Sequence, residues 1–296
     1  MFGKVGYQTM TGRGCPHSCS YCGNSFYRGL YPKQRFVRHR SVEHVISELE
    51  SVKAHYPFLD FFWFSDDSFF GRPLPDLLHF CVEYKRRIAA PFYVLGSPAT
   101  ITEEKYAALV DAGLLCIQMG IEHGSERMRR LFNRPMKTER ILKTAGIIAK
   151  YAHRTAPPQY DLLCDIPYET RQDQLETLRL VSQLPKPYRL QVFSVVFYPG
   201  TSLYAAALAD NLIVDEKSQI YDHMFSVRRD SYENTLLSLS RSGQFPHPLL
   251  KLLIHPAAVD LAHSRASRPL SKLVKTGLSG ARKWRRWKRQ RRKRQT

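Results

Sequence analysis

The chain has 296 residues, of which 43% are hydrophobic, so it can bury one large core or two modest ones. No stretch reaches the roughly 18 consecutive apolar residues of a membrane-spanning helix, which excludes that feature from the sequence. The formal net charge of +19 is unevenly placed. Residues 1–233 hold 29 Lys and Arg against 25 Asp and Glu, whereas residues 234–296 hold 16 against the single Asp260.

Short β-branched or aromatic runs alternate with helical patterns over residues 1–200, which predicts a parallel sheet or barrel. Six strand–helix units are too few for a closed eight-stranded barrel, so the predicted α/β fold is an open six-unit partial barrel with a C-terminal helical extension and a basic tail. Strands are predicted at residues 5–9, 58–65, 92–96, 115–121, 159–164 and 190–197. Helices are predicted after Ser41, over 74–88, between Thr102 and Gly113, from Thr138, and over 171–184.

Polar residues follow the ends of the predicted strands. In barrels of this kind, chemistry collects at the carboxyl ends of the strands. The sequence therefore predicts a functional site where these side chains meet: Asp66, Asp67, Ser97, Glu122 and Asp165.

Three cysteines, Cys15, Cys19 and Cys22, are spaced by four and then three residues in a short loop. Cysteine-ligated iron–sulfur clusters normally take four thiolates, so three ligands suit a cluster with one open metal corner. Structural zinc is the rival interpretation. Its fourth ligand would be His39 or His44, because His17 lies too close to the cysteines.

Disulfides fit less well than a metal centre. The other three cysteines, Cys81, Cys116 and Cys164, stand singly in apolar stretches, as buried small hydrophobic residues do. No signal peptide precedes Cys15, so an oxidising compartment is not implied, and we expect a cytoplasmic protein, either free or peripheral at a membrane.

The cysteine loop and four further segments resemble the radical S-adenosylmethionine (radical SAM) superfamily. The supporting segments are residues 11–16 (TGRGCP), 64–69 (FSDDSF), 120–125 (GIEHGS) and 198–201 (YPGT), together with the aromatic Tyr21 just before the last cysteine. The resemblance covers roughly residues 1–235. It is closest to the subgroup that carries a cobalamin-binding domain.

The resemblance implies a role for each matching residue. Cys15, Cys19 and Cys22 would ligate a [4Fe-4S] cluster whose fourth iron binds S-adenosylmethionine (SAM). Reductive cleavage of SAM would give a 5′-deoxyadenosyl radical that abstracts hydrogen from an unknown substrate, with methylation as one outcome, and the electron would come from a donor such as ferredoxin or flavodoxin. Tyr21 would lie near the adenine, Asp66 and Asp67 at the methionine amino group, Glu122 at the ribose hydroxyls, and Asp165 and Pro167 at the border of the adenine.

Two departures from the family pattern stand out. Residues 167–170 read PYET where relatives more often have PGET, which affects the expected adenine contact. Only 14 residues precede Cys15, far fewer than the roughly 100 of a cobalamin-binding domain. The chain is then a fragment, or cobalamin arrives on a separate chain, or none is used.

The predicted domains are the core at residues 1–200, a cover of the barrel mouth at 201–245, and a helical or disordered basic tail at 246–296. Within the cover, the residues predicted to contact substrate are Tyr204, Tyr221, His223, Phe225 and Arg228.

The basic tail allows three interpretations. Residues 282–294 contain ten Lys or Arg, no acid, and Trp284 and Trp287. Such a segment can lie on an anionic membrane, bind RNA phosphates, or form a solvated disordered end. The alternative function is accordingly a non-catalytic, cluster-containing protein that the tail tethers to a membrane or to RNA.

Overall fold

A computed structural model of the chain describes residues 4–222, 227 and 229–264. The contacts divide the chain into two compact units, Met1–Phe245 and Pro246–Thr296. The strands of the described residues are β1 (Gly6–Thr9), β2 (Gly12–Arg13), β3 (Arg38–His39), β4 (Phe61–Phe64), β5 (Phe92–Gly96), β6 (Leu114–Glu122), β7 (Gln159–Cys164) and β8 (Arg189–Ser194).

Six of these strands form one parallel sheet in the order β1-β4-β5-β6-β7-β8. Each strand of this sheet therefore lies beside the one that follows it along the chain, which is the predicted open six-unit partial barrel. The short antiparallel pair of β2 and β3 was not predicted from the sequence.

Helices connect the strands and continue beyond the sheet. Ser41 and Thr102 cap two of them by accepting hydrogen bonds from backbone N–H groups, and Gly113 ends the second in a left-handed conformation, as predicted. The helices of the described residues are α1 (Gly23–Leu30), α2 (Val42–His55), α3 (Leu74–Arg87), α4 (Glu103–Ala112), α5 (Glu126–Leu131), α6 (Thr138–Lys150), α7 (Arg171–Val181), α8 (Ser202–Ala209), α9 (Tyr232–Ser240), α10 (His247–Leu253) and α11 (Pro256–His263).

The core of the first unit lies between the sheet and the helices on its outer face. Phe64 of β4 is fully buried, with ring centroids 5.6 Å from Phe80 of α3 and 5.7 Å from Phe92 of β5. The ring centroid of Tyr84 of α3 lies 4.9 Å from that of Phe92. Because side chains alternate along a strand, these aromatic residues leave the other face of the sheet to a different set.

The inner face of the sheet is more polar. Trp63 and Tyr93 meet there edge to face, with ring centroids 5.6 Å apart. Tyr93 donates its hydroxyl hydrogen bond to Gln118, whose Nε2 donates to Asp161 Oδ2 at 2.7 Å. Burial raises the pKa of Asp161 to about 7. A hydrogen-bonded row thus crosses β5, β6 and β7 inside the partial barrel.

Three predicted strands are longer than the observed ones, the first by the single residue Val5 and the second and sixth by several residues. β4 begins at Phe61 because residues 57 and 58 form a turn, and Phe58 is 65% exposed. β8 ends at Ser194, which pairs with the last residue of its neighbour β7, Cys164, because Asp165 then leaves the strand conformation with a φ of +59°. The following residues 195–197 are nevertheless buried in a small apolar cluster that includes Leu203 of α8.

The turn after β6 requires an unusual backbone. Glu122 has a φ of +68°, in the left-handed region that most side chains avoid. Gly124 passes so close to α7 that an added Cβ would lie 2.2 Å from Thr177 Cα. Ser125 then caps α5 and donates from its hydroxyl to Asp173 Oδ1 at 2.6 Å. Residues 120–125 are thus fixed by packing against α7.

We expect Gly124→Ala to lower the free energy of unfolding by about 2 kcal/mol or more, because the new methyl group meets rigid backbone. Gly146→Ala on α6 is the matched control, since a Cβ added there would have no neighbouring atom within 4 Å. That control should stabilise the protein by roughly 0.5–1 kcal/mol. Denaturant unfolding of both variants measures the difference, and equal effects would contradict the close approach.

Candidate metal centre

The three cysteines lie in the loop between β2 and α1. All three are free thiols, with Cys19 buried and Cys15 and Cys22 half-buried. Cys22 occupies the N-cap position of α1, so the helix begins directly after the last cysteine. The N-terminus of a helix favours negative charge, as a thiolate would supply.

Hydrogen bonds hold the loop from two sides. Ser20 donates its backbone N–H to the carbonyl of Phe132 and its hydroxyl to that of Leu131, at 2.9 and 2.8 Å. The carbonyl of Ser20 accepts from the N–H of Leu203 at 2.9 Å. Arg28 of α1 donates to the carbonyl of Cys15 and to Ser18 Oγ. These hydrogen bonds therefore fix the loop against α1, α8 and the segment after α5.

Gly14, just before the first cysteine, has a conformation that a side chain would disturb. Its φ is +81°, and an added Cβ would lie 2.4 Å from the carbonyl oxygen of Phe36. Its N–H donates to Asp67 Oδ2 at 3.2 Å. The glycine therefore lets the chain turn sharply into the cysteine loop.

Arg134 links the cysteine loop to three positions at the strand ends. Its guanidinium lies 3.2 Å from Glu122 Oε1 and 3.9 Å from Cys19 Sγ. It also donates to Ser97 Oγ at 2.9 Å and to the carbonyl of Gly120 at 3.0 Å. The Arg134 and Glu122 side chains are only 10% and 11% exposed.

The charge of Arg134 affects the groups around it. Burial disfavours its charged form, but Glu122, Tyr21 and Cys19 outweigh that effect and raise the pKa of Arg134. Burial raises the pKa of the Cys15 and Cys19 thiols, and for Cys19 the neighbouring guanidinium opposes the rise. A permanent cation therefore lies beside one of the three thiols.

Tyr21 belongs to the cysteine loop and directly precedes Cys22. Its ring meets Phe132 edge to face, with centroids 5.1 Å apart. Cys19 and Glu122 lie near its hydroxyl, and burial raises the pKa of Tyr21 well above its ordinary value. Tyr21 also lines an apolar cavity of about 340 Å³ with residues of β7, β8 and the segment after β8.

The two aspartates that follow β4 differ in their surroundings. Asp66 is buried and accepts hydrogen bonds from the backbone N–H and the hydroxyl of Thr11, both at 2.6 Å. Burial raises the pKa of Asp66 to about 6. Asp67 is exposed and lies beside Gly14. Asp66 therefore joins the end of β4 to the segment before the cysteines, whereas Asp67 has an accessible carboxylate.

Asp165 and Pro167 follow β7. Asp165 has a φ of +59° and accepts hydrogen bonds from Ser194 Oγ at 2.5 Å and Asn234 Nδ2 at 2.7 Å. It therefore connects the ends of β7 and β8 to α9. Pro167 is exposed.

Two of the residues predicted to contact substrate belong to the described part of the chain. Tyr204 of α8 is hydrogen-bonded to Glu216, and Tyr221 is 68% exposed. The other three, His223, Phe225 and Arg228, lie outside the described residues, as does the basic segment 282–294. Among the described residues, no helix combines the length and apolar composition needed to cross a membrane.

A single-ion site is not formed at the cysteines. Within residues 4–222, 227 and 229–264, no three His, Cys, Asp or Glu side chains converge on one metal position. His44, one proposed fourth zinc ligand, is exposed on α2. A [4Fe-4S] cluster does not require the three thiolates to converge on one atom, because each thiolate binds a separate iron atom.

The residues present fit a [4Fe-4S] cluster and SAM. Three free thiols stand on one fixed loop, next to a helix N-terminus and a buried guanidinium. Glu122 and Tyr21 both lie close to Cys19 of the same loop. Sequence reasoning missed Arg134, since an arginine in a short loop after α5 carries no motif that separates it from a surface residue.

The family profile described as the Radical SAM superfamily matches residues 9–181, more than half of the chain. Among curated proteins, an uncharacterized methyltransferase from Pyrococcus horikoshii is 28% identical over 209 residues, covering 69% of this chain and 42% of its own length. A tRNA-2-methylthio-N(6)-dimethylallyladenosine synthase from Syntrophomonas wolfei is 26% identical over 214 residues, covering 70% of this chain and 46% of its own length. The chain thus spans less than half the length of these relatives.

Two solved structures share the fold at low sequence identity. The radical S-adenosylmethionine methyltransferase TsrM from Kitasatospora setae, with tryptophan and a SAM analogue bound, has a TM-score of 0.57 and 17% identity, covering 71% of this chain and 40% of its own. Coproporphyrinogen III oxidase from Escherichia coli has a TM-score of 0.52 and 17% identity, covering 81% of this chain and 52% of its own. With its cysteine loop, its six-stranded partial barrel and the match over residues 9–181, the chain belongs to the radical SAM superfamily of enzymes.

Proposed function

We propose that this chain uses a [4Fe-4S] cluster and SAM to abstract a hydrogen atom from an unidentified substrate and to methylate it. The observation that carries the proposal is the loop of three free thiols, of which Cys19 lies 3.9 Å from Arg134 in the Glu122–Arg134 pair at the carboxyl edge of the sheet. With both groups bound, the cluster and SAM supply the reductive cleavage of SAM into methionine and a 5′-deoxyadenosyl radical.

In this proposal Cys15, Cys19 and Cys22 hold the cluster, and Glu122 accepts hydrogen bonds from the ribose hydroxyls of SAM. Arg134 is a positioning residue. Its Nη2 donates hydrogen bonds to Ser97 and Gly120, and this orientation places Nη1 beside Glu122. The guanidinium also places a positive charge 3.2 Å from Glu122 Oε1, and hydrogen bonds to a charged carboxylate are the stronger ones.

The remaining contacts to SAM are proposed for the other strand ends. Asp67 is accessible to the methionine amino group, and Asp66 holds the adjoining segment through Thr11. Tyr21, Asp165 and Pro167 border the adenine. The substrate would lie on the inner face of the sheet, where the Tyr93–Gln118–Asp161 row offers hydrogen-bonding groups.

Methyl transfer is the finer part of the proposal and draws on the relatives. The Pyrococcus horikoshii relative is named a methyltransferase, and TsrM was also solved with cobalamin and a [4Fe-4S] cluster bound. We propose the cobalamin-associated subgroup for this chain, so methylation of its substrate should require added cobalamin. Methylation by the reconstituted chain without cobalamin would contradict this subgroup.

We expect Cys15→Ala, Cys19→Ala and Cys22→Ala each to abolish cluster assembly and SAM cleavage, because the loop then offers two ligands. Iron and sulfide analysis after anaerobic reconstitution, followed by 5′-deoxyadenosine measurement with dithionite, tests this. Cys81→Ala, on the outer helix α3, is the matched control and should retain both. A wild-type protein with a full cluster and no 5′-deoxyadenosine would favour the non-catalytic alternative.

Replacing Glu122 by Gln should raise the dissociation constant of SAM about tenfold or more, since a hydrogen bond to a charged group contributes about 1.5–3 kcal/mol. The iron content should stay unchanged, because Glu122 is not a cluster ligand. Equilibrium dialysis of the reconstituted protein gives the constant. Glu103→Gln, at an exposed pair with Lys150, is the control and should bind SAM normally, and an unchanged constant in Glu122→Gln would exclude the assigned contact.

A further inference from the structure

We propose that the basic tail, residues 246–296, binds the surface of an anionic lipid membrane. These residues coincide with the second compact unit of the chain, whose described part consists of α10, α11 and the residues next to them. Exposed leucines of the two helices would enter the edge of the bilayer, and the Lys and Arg residues that follow would contact anionic headgroups. The proposal goes beyond the proposed function and depends on neither the cluster nor SAM.

Helix α10 is apolar on two opposite sides. Leu250 is fully buried, whereas Leu252 is 65% exposed. Successive residues of an α-helix are about 100° apart, so Leu252 lies about 200° around the helix from Leu250. Leu249, on the preceding position, is exposed as well. One side of α10 therefore packs within the protein, and the opposite side presents leucine to the solvent.

Helix α11 repeats this arrangement. Val259 is buried, and Leu261, two residues later, is 66% exposed. A single exposed apolar residue is ordinary on a protein surface, but a helix that is apolar on opposite sides is normally buried on both. Exposed apolar surface beside polar residues is typical of sites that bind proteins or membranes. Two successive helices thus carry leucines suited to an apolar partner.

The sequence that follows α11 supplies a dense positive charge. Residues 264–296 contain 14 Lys and Arg and no Asp or Glu. Each Lys or Arg near an anionic leaflet adds to the attraction between the protein and the membrane. The same sequence contains Trp284 and Trp287, and tryptophan is enriched where a membrane meets water. Leucine, tryptophan and a high positive charge together are the composition of segments that lie in a membrane interface.

RNA is the competing partner, and the exposed leucines decide between the two. RNA phosphates would be bound by Lys and Arg, and Trp284 and Trp287 could stack on unpaired bases. Neither contact uses Leu252 or Leu261. A membrane, in contrast, accepts all three kinds of side chain, because it offers anionic headgroups beside an apolar interior. The leucines of α10 and α11 therefore favour the membrane.

Flotation of the purified full chain with lipid vesicles tests the proposal. The chain should float with vesicles of phosphatidylcholine and phosphatidylserine, and roughly tenfold less with pure phosphatidylcholine or at high salt. Arg291→Glu with Arg292→Glu should lower the bound fraction by roughly tenfold or more. The matched control is Lys85→Glu with Lys143→Glu, which reverses two exposed charges on α3 and α6 and should float like the wild type.

A second variant tests the contribution of the leucines. Leu252→Ser with Leu261→Ser should weaken vesicle binding by roughly tenfold, because the apolar contact is lost while every charge is kept. Its free energy of unfolding should stay near the wild-type value, since both side chains are exposed. Binding of a single-stranded oligouridylate should not change. Val82→Ser, at a residue of α3 that is 62% exposed, is the matched control and should leave flotation unchanged.

Several results would overturn the proposal. Absence of flotation in the wild type, or equal flotation of the wild type and both variants, would exclude membrane binding by the basic tail. Binding of oligouridylate that the arginine variant loses, without vesicle binding by the wild type, would assign the tail to RNA. If Leu252→Ser with Leu261→Ser lowered the free energy of unfolding and left flotation unchanged, the leucines would be covered by the chain itself. The chain should float equally with and without its reconstituted cluster, so failure of the proposed function would leave this test intact.

Discussion

A buried cation holds the functional edge of this protein together. Arg134 is one of the least exposed charged residues at the site, and removing a guanidinium from water is costly unless it is paired and hydrogen-bonded. Here Glu122 supplies the opposite charge, and Ser97 and the carbonyl of Gly120 accept from the same group. Because these partners lie at the ends of different strands, and Cys19 lies 3.9 Å from the same guanidinium, Arg134 connects β5, β6 and the cysteine loop.

Much of the fold could be predicted from the sequence, because its signals are local. Alternation of apolar runs and capped helical patterns indicated the six parallel strands, and parallel strands place their following residues at one edge. The strand limits were less certain. The end of β8 depends on the end of its neighbour β7. This is a property of the tertiary structure, and an apolar run such as residues 195–197 does not reveal it.

The site was predictable only in part, for the same reason. The cysteine spacing is a local pattern and could be recognised, as could Glu122 at the end of β6. Arg134 could not, since its role depends on contacts with residues 12 to 115 positions away in the chain, among them Glu122 and Cys19. Asp66 shows the opposite case. The sequence predicted that it binds a ligand, but in the structure both of its carboxylate oxygens accept hydrogen bonds from Thr11.

The hydrogen bonds around Ser20 connect the cysteine loop to two distant parts of the chain. They join the loop to the backbone at Leu131 and Phe132 and at Leu203 of α8. A displacement of either segment would therefore move the ligand loop with it, so a substitution that shifts α8 can alter the metal centre without contacting a cysteine.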